Sequence, residues 1–124
     1  MRGQGVLNGI ADKLDHIYIA CGKTDLRRGI DGLVAIIQTE FKLDPFSKSI
    51  FLFCGSRTDR IKAIVHDGDG FLLLYKRIEK GRFRWPRNPQ EARELSHQQF
   101  RWLTEGLKVD QPHALKSSGP MDYC

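Results

Sequence analysis

The residues best suited to chemistry in this sequence are the basic side chains between positions 76 and 87. That segment holds six lysines and arginines and one acid, so its local charge equals the net +5 of the whole chain. Phe83 and Trp85 alternate with arginines there. Guanidinium groups bind phosphates and aromatic faces stack on exposed bases, so the pattern predicts a basic hairpin that binds nucleic acid.

Cations outside this segment are expected to extend the same surface. If the strand at 60–63 turns its polar face towards the hairpin, its cations lie beside those of the hairpin. The alternative is a solvated sheet edge, where cations discourage association and Phe83 and Trp85 point into the core. The candidate nucleic-acid-binding residues are Arg27, Arg28, Arg57, Arg60, Lys62, Lys76, Arg77, Lys80, Arg82, Arg84 and Trp85.

The aspartates raise a second class of function, a small metal-dependent nuclease, because two-metal phosphoryl chemistry needs converging carboxylates. Most of them have a local explanation: Asp67 and Asp69 lie in a predicted turn, and Asp25 can cap a helix. The four histidines lack the spacing of zinc proteases, and neither a phosphate-binding glycine loop nor a nucleophile elbow occurs. We therefore predict no catalytic residue, metal or cofactor.

The composition of the 124-residue chain is that of one soluble domain. Hydrophobic residues make up 40% and charged residues 28%, both close to globular averages. Apolar runs stop at five residues and the N-terminus lacks a secretory h-region, so we expect a cytoplasmic protein without a membrane span. A pI near 9.3 favours an anionic partner. The three cysteines are odd in number and include no C-x-x-C pair, so Cys21 and Cys54 are predicted to be buried free thiols.

The pattern of apolar residues predicts the elements that must position the basic residues. A strand at 17–21 precedes a helix that Thr24 and Asp25 can cap, with apolar positions at helical spacing up to Phe41. Strands follow at 50–54, 60–63, 71–75 and 82–85, the middle pair joined by a turn at residues 67–70. Ser96 and Gln99 form a capping box for a second helix that ends near Gly106.

These elements predict an α+β fold in a single small domain. We expect an antiparallel β-meander sheet, one helix after the first strand and one C-terminal helix. Residues 1–15, with three glycines and little periodicity, are predicted to be a flexible leader, and residues 109–124 a disordered tail. The folded domain is then expected to span residues 16–108.

Several blocks in order along the chain resemble the TnpB or Orf2-like family, an accessory protein of insertion sequences in the sixty-six group. The longest is Ala20-Cys21-Gly22-Lys23-Thr24-Asp25-Leu26-Arg27-Arg28-Gly29-Ile30-Asp31-Gly32-Leu33. The resemblance runs from about residue 17 to residue 115, with further blocks at 43–46, 52–55, 59–62, 67–71, 75–77 and 81–86. His66 departs from it, because the family often has an aromatic residue there.

The resemblance implies a bacterial, non-catalytic accessory role in DNA transposition, a form of DNA recombination, beside a separate transposase that carries the catalytic acids. It assigns no binding residues. Combined with the basic segment, it makes DNA the expected partner, with the terminal repeats of the element as the candidate site. The alternative is a protein-interaction module that docks the transposase without touching DNA, with Trp85 and the arginines as its contact residues.

Overall fold

A computed structural model describes residues 5–88 and 91–111 of the chain. It contains helix α1 (Val6–Asp12), strand β1 (His16–Ala20), helix α2 (Ile30–Ala35), and strands β2 (Ser49–Cys54), β3 (Arg60–Asp67), β4 (Gly70–Arg77) and β5 (Ala92–Leu95). Helix α3 (His97–Thr104) is the last element of the described chain. This is the predicted α+β class.

The five strands form one sheet in the order β4-β3-β2-β1-β5. Strands β2, β3 and β4 are the predicted antiparallel meander. The expectation of a wholly antiparallel sheet is wrong in one place: β1 pairs with β2 in parallel. Helix α2 lies between these two strands in the chain, and such a crossover returns the chain to the same end of the sheet.

Each face of the sheet carries its own hydrophobic core. On one face, α1, α3, Phe83 and Trp85 pack on alternate residues of the strands. On the other face, α2 covers a second cluster that includes Phe51, Phe53 and Ile64. Because successive strand residues point to opposite faces, the wholly apolar run of β2 supplies both cores.

The predicted flexible leader is wrong for the part of it that the structure describes. Val6–Asp12 is helical, and Leu7 and Ala11 are buried against the core. Asn8 donates a hydrogen bond to the Thr104 hydroxyl across the α1–α3 contact, with 3.2 Å between the two atoms. A short amphipathic helix that contains glycine has weak propensity by itself, so this one depends on its partner helix.

The predicted tail is also wrong at its start, while residues 112–124 lie outside the described residues. Val109 is buried, and Asp110 forms an ion pair with Arg93 of β5. Arg93 holds the pKa of the Asp110 carboxyl below its usual range by hydrogen bonding to it. The folded unit therefore extends on both sides of the predicted boundaries.

Two helix ends differ in how well the sequence predicted them. The capping box of α3 is present, since the Ser96 hydroxyl accepts from the Gln99 amide at 3.0 Å and the Gln99 side chain accepts from Ser96. The predicted cap of α2 is wrong, because that helix begins at Ile30 and Asp25 instead accepts from the Arg27 amide. Beyond Ala35 the helix continues as a π-helical turn over Ile36–Glu40.

The predicted strand at 82–85 is absent from the structure. Those residues run as extended chain across the α1–α3 face, and the Phe83 amide donates to the Thr58 carbonyl at 2.7 Å. The basic hairpin therefore does not form. The fifth strand is Ala92–Leu95, which pairs with β1 at the opposite edge of the sheet from β4.

Candidate nucleic-acid interface

The β3–β4 hairpin brings cations of both strands together on the face that carries α2. Arg60 lies opposite Arg77 and Lys62 opposite Tyr75 in the antiparallel register. Directly opposed residues share a face, and the next residue along β3, Ile61, points to the other core. The open end of the hairpin therefore presents polar and basic side chains on this face. We call Arg60, Lys62, Tyr75 and Arg77 the β3–β4 basic cluster.

Tyr75 lies at the centre of this cluster and is 57% exposed. The Lys62 ammonium lies 5.4 Å from the centre of its ring, at a distance where the ring quadrupole attracts a cation. Arg60 on the neighbouring strand interacts electrostatically with the Tyr75 hydroxyl. Tyr75 thus interacts with two cations of the cluster while its own ring stays exposed.

Arg28, in the loop before α2, contacts the cluster through its backbone carbonyl, while its side chain lines a concavity with Asp25 and Glu40. Lys62 Nζ donates to the Arg28 carbonyl oxygen at 3.0 Å. The stem of Arg28 lies against Gly32, where an added Cβ would stand 3.2 Å from the Arg28 Cβ. The neighbouring Arg27 instead binds Asp25 through two contacts of 3.0 Å, and this lowers the pKa of Asp25 to about 2.

Arg57 and Arg82 lie beside the cluster, around Asp59. Asp59 accepts from Arg60 Nε at 3.0 Å and lies 4.0 Å from the Arg57 guanidinium. Hydrogen bonding to Arg60 lowers the pKa of Asp59, so this carboxylate stays charged and holds two arginines. Arg57 and Arg82 line a concavity of about 290 Å³ together with Asp59.

The structure places the other candidate residues elsewhere. Lys76 lies opposite Ile61 on the α1–α3 face. Lys80 follows β4 and lines a concavity with Arg77 and Glu79, at the edge of the cluster. Arg84 lines a third concavity, beside Arg93 and Asp110. These three cations are not part of the β3–β4 basic cluster.

Trp85 requires a correction, because its ring is not at the surface. It is 5% exposed and packs in the core on the α1–α3 face. Its indole N–H donates to the Ala20 carbonyl at 2.9 Å, which satisfies a buried polar group at the end of β1. The structure therefore agrees with the alternative in which Phe83 and Trp85 point into the core, and the Trp85 ring cannot stack on a base.

Tyr75 is the residue that the sequence reasoning missed. The turn at Asp67-Gly68-Asp69-Gly70 was predicted, and Gly68 has the positive φ of 63° that a glycine at the first position of a tight hairpin turn favours. Counting back from the pair Asp67–Gly70 places Tyr75 opposite Lys62. The register of the predicted hairpin was thus a signal that could have found it.

Several acidic side chains of the described chain form ion pairs with arginines, and its two cysteines lie in the core. Within residues 5–88 and 91–111, no three His, Cys, Asp or Glu side chains come together in a group that could hold a metal ion. Cys21 and Cys54 are free and buried, as predicted. Burial raises the pKa of Cys21 and raises that of Cys54 to about 11. None of the helices in this part of the chain is both long and apolar enough to span a membrane.

Comparison with known proteins identifies relatives over most of the chain. A family model described as IS66 Orf2 like protein matches residues 15–114. The uncharacterized protein y4jC of Sinorhizobium fredii is 37% identical over 92 residues, which are 74% of this chain and 79% of the relative. The uncharacterized protein y4hO of the same organism is 35% identical over 97 residues, or 78% and 84%. No solved structure shows a significant match.

Proposed function

The chain belongs to the family of IS66 Orf2-like proteins, and from that premise we propose that it is a non-catalytic accessory protein of transposition that binds DNA through the β3–β4 basic cluster. The family connects the chain with insertion sequences. DNA binding is the finer step, and the observation that carries it is the alignment of Arg60, Lys62 and Arg77 around an exposed tyrosine on one sheet face. The terminal repeats of the element are the proposed DNA site.

The spacing of these cations suits a phosphate backbone. They lie on adjacent strands, and strands in a sheet are about 4.8 Å apart while alternate residues of one strand are about 6.6 Å apart. Phosphates of one DNA strand follow each other at a comparable interval, so neighbouring cations can each neutralise one phosphate. Such contacts determine position and affinity, and they do not read sequence.

The test measures binding of the purified chain to a labelled terminal-repeat duplex and to a scrambled duplex, by fluorescence anisotropy over a series of salt concentrations. The cluster variant Arg60→Ala/Lys62→Ala/Arg77→Ala removes three positive charges. Its slope of log binding constant against log salt should be shallower by about 3 units, because each phosphate contact contributes about 0.9. Tighter binding of the wild type to the repeat than to the scramble would support a targeting role.

A matched control separates local contacts from net charge. Lys13→Ala/Lys48→Ala/Arg101→Ala removes the same charge from exposed positions outside the cluster. Equal losses in the two triple variants would mean that only net charge matters and would overturn the assignment to the cluster. If the wild type binds neither duplex at any salt concentration, DNA binding is wrong, and a pull-down with the transposase of the element tests the docking role instead.

A further inference from the structure

The outer edge of β4 is the longest exposed sheet edge in the described chain. Strand β4 spans Gly70–Arg77 and pairs with β3 on one side only, and β5 at the other edge has half as many residues. The register between β3 and β4 is continuous from Arg60–Arg77 to Asp67–Gly70, without a bulge. A long regular edge presents unpaired backbone N–H and C=O groups that can pair with another strand.

Exposed apolar side chains concentrate around this same edge. Leu72 and Tyr75 of β4 are 43% and 57% exposed. On the α2 face, the exposed ring of Phe46 lies 5.3 Å from that of Phe71. On the other face, Val6 and Leu74 line an apolar groove of about 350 Å³ between α1 and β4. Of the large apolar side chains that are exposed in the described chain, only Leu107 lies away from β4. Concentrated apolar exposure marks an interaction surface.

The charges at the two ends of β4 specify which strand can pair with it. Asp67 and Asp69 lie at the turn, and Lys76 and Arg77 lie at the far end. A second β4 in parallel would place like charges beside each other. A second β4 running antiparallel places the acidic end of each copy beside the basic end of the other, so the edge is complementary to itself.

We infer that β4 is a self-association edge, where two copies of the chain pair antiparallel through Gly70–Arg77 to form one continuous sheet across a two-fold axis. In an antiparallel pair, directly opposed residues point to the same face of the sheet. The two-fold axis must therefore pass between the two copies of one residue, which lie opposite each other. With Leu73 on the axis, Asp69 lies opposite Arg77 of the second copy. Phe71 then faces Tyr75 on the α2 side, and Leu72 faces Leu74 on the other.

The first test is the solution mass, by size-exclusion chromatography with light scattering from micromolar to millimolar protein. The wild type should approach twice the 14.2 kDa of one chain as concentration rises. Leu72→Lys places a charge at the centre of the edge and should keep the chain monomeric. Leu107→Lys is the matched control, because this leucine is 45% exposed and lies after α3, and it should dimerise like the wild type. Thermal melts of both variants check that they fold.

A charge exchange tests the orientation of the two strands. Asp69→Arg and Arg77→Asp each place like charges opposite each other in the proposed register and should weaken the dimer at least tenfold. The double variant Asp69→Arg/Arg77→Asp restores opposite charges and should recover the dimer. A wild type that stays monomeric over the whole range overturns the inference, as does a dimer that neither Leu72→Lys nor the single charge changes weaken.

Discussion

Strand β4 and the segment at 82–86 both place aromatic residues next to basic ones, yet the aromatic rings have opposite roles. Tyr75 is followed by Lys76 and Arg77 in β4, and Phe83 and Trp85 alternate with arginines in the other segment. In β4 the aromatic ring lies at the surface among cations. In the 82–86 segment the rings are buried and the arginines are exposed singly. The comparison shows that an aromatic residue beside cations is not by itself a surface residue, because the layer that packs on each face of the sheet decides which rings are buried.

The largest expected difference between these regions is in stability. Trp85→Ala should lower the free energy of unfolding by about 3–5 kcal/mol, because it leaves a cavity and removes the partner of the Ala20 carbonyl. Tyr75→Ala should cost under about 1 kcal/mol, since its ring is mostly exposed. Urea denaturation followed by circular dichroism gives both values. Similar costs in the two variants would contradict the contrast.

A second difference is expected in DNA binding. Lys80→Ala/Arg82→Ala/Arg84→Ala removes three charges from the loop after β4 and the 82–86 segment. Lys80 and Arg82 each line a concavity beside the β3–β4 basic cluster, whereas Arg84 lies away from it. The salt slope of this variant should become shallower by no more than about 2 units, against about 3 for the cluster variant. Anisotropy titrations of both variants in parallel make the comparison. A larger loss in the 80/82/84 variant would transfer the interface to that segment.

A third prediction concerns pH and the buried side of the sheet. Burial raises the pKa of Cys54 from 9.0 to about 11, so its thiol contributes stability that is complete below about pH 9 and is lost as pH rises towards 11. The loss should be about 1 kcal/mol by pH 10. The urea concentration at the midpoint of unfolding, determined at pH 8, 9 and 10, measures this loss of stability. In Cys54→Ala this part of the pH dependence should disappear, and an unchanged profile would assign the loss to other groups.

The smallest expected effect concerns DNA binding at the exposed β3–β4 basic cluster. Asp59→Asn removes the carboxylate that binds Arg60 and lies near Arg57. Both guanidinium groups then become free for phosphates, so DNA affinity should rise a few-fold and the salt slope should steepen by up to about 1 unit. Asp44→Asn is a control with the same charge change at a carboxylate that accepts from the Phe46 amide. An equal rise in both variants would indicate a net-charge effect alone.

Local signals in the sequence predicted parts of the fold that depend on neighbouring residues. The α3 capping box, the β3–β4 turn and the two buried thiols are all present. Most of the β3–β4 basic cluster could also be predicted, because Arg60, Lys62 and Arg77 are candidates in the sequence and the turn defines their register. The leader failed as a prediction because α1 gains its stability from α3, which lies some ninety residues further along the chain.

The sequence by itself determined the fold class, the basic charge and the hairpin that aligns the cations, since these follow from composition, short-range periodicity and turn chemistry. Only the tertiary structure decided that β1 and β2 are parallel, that Trp85 is buried and that Tyr75 stands among the cations. Each of these depends on which distant segment covers a given face of the sheet. Contacts between distant segments depend on how the whole domain buries its apolar surface. No short stretch of the sequence determines that burial.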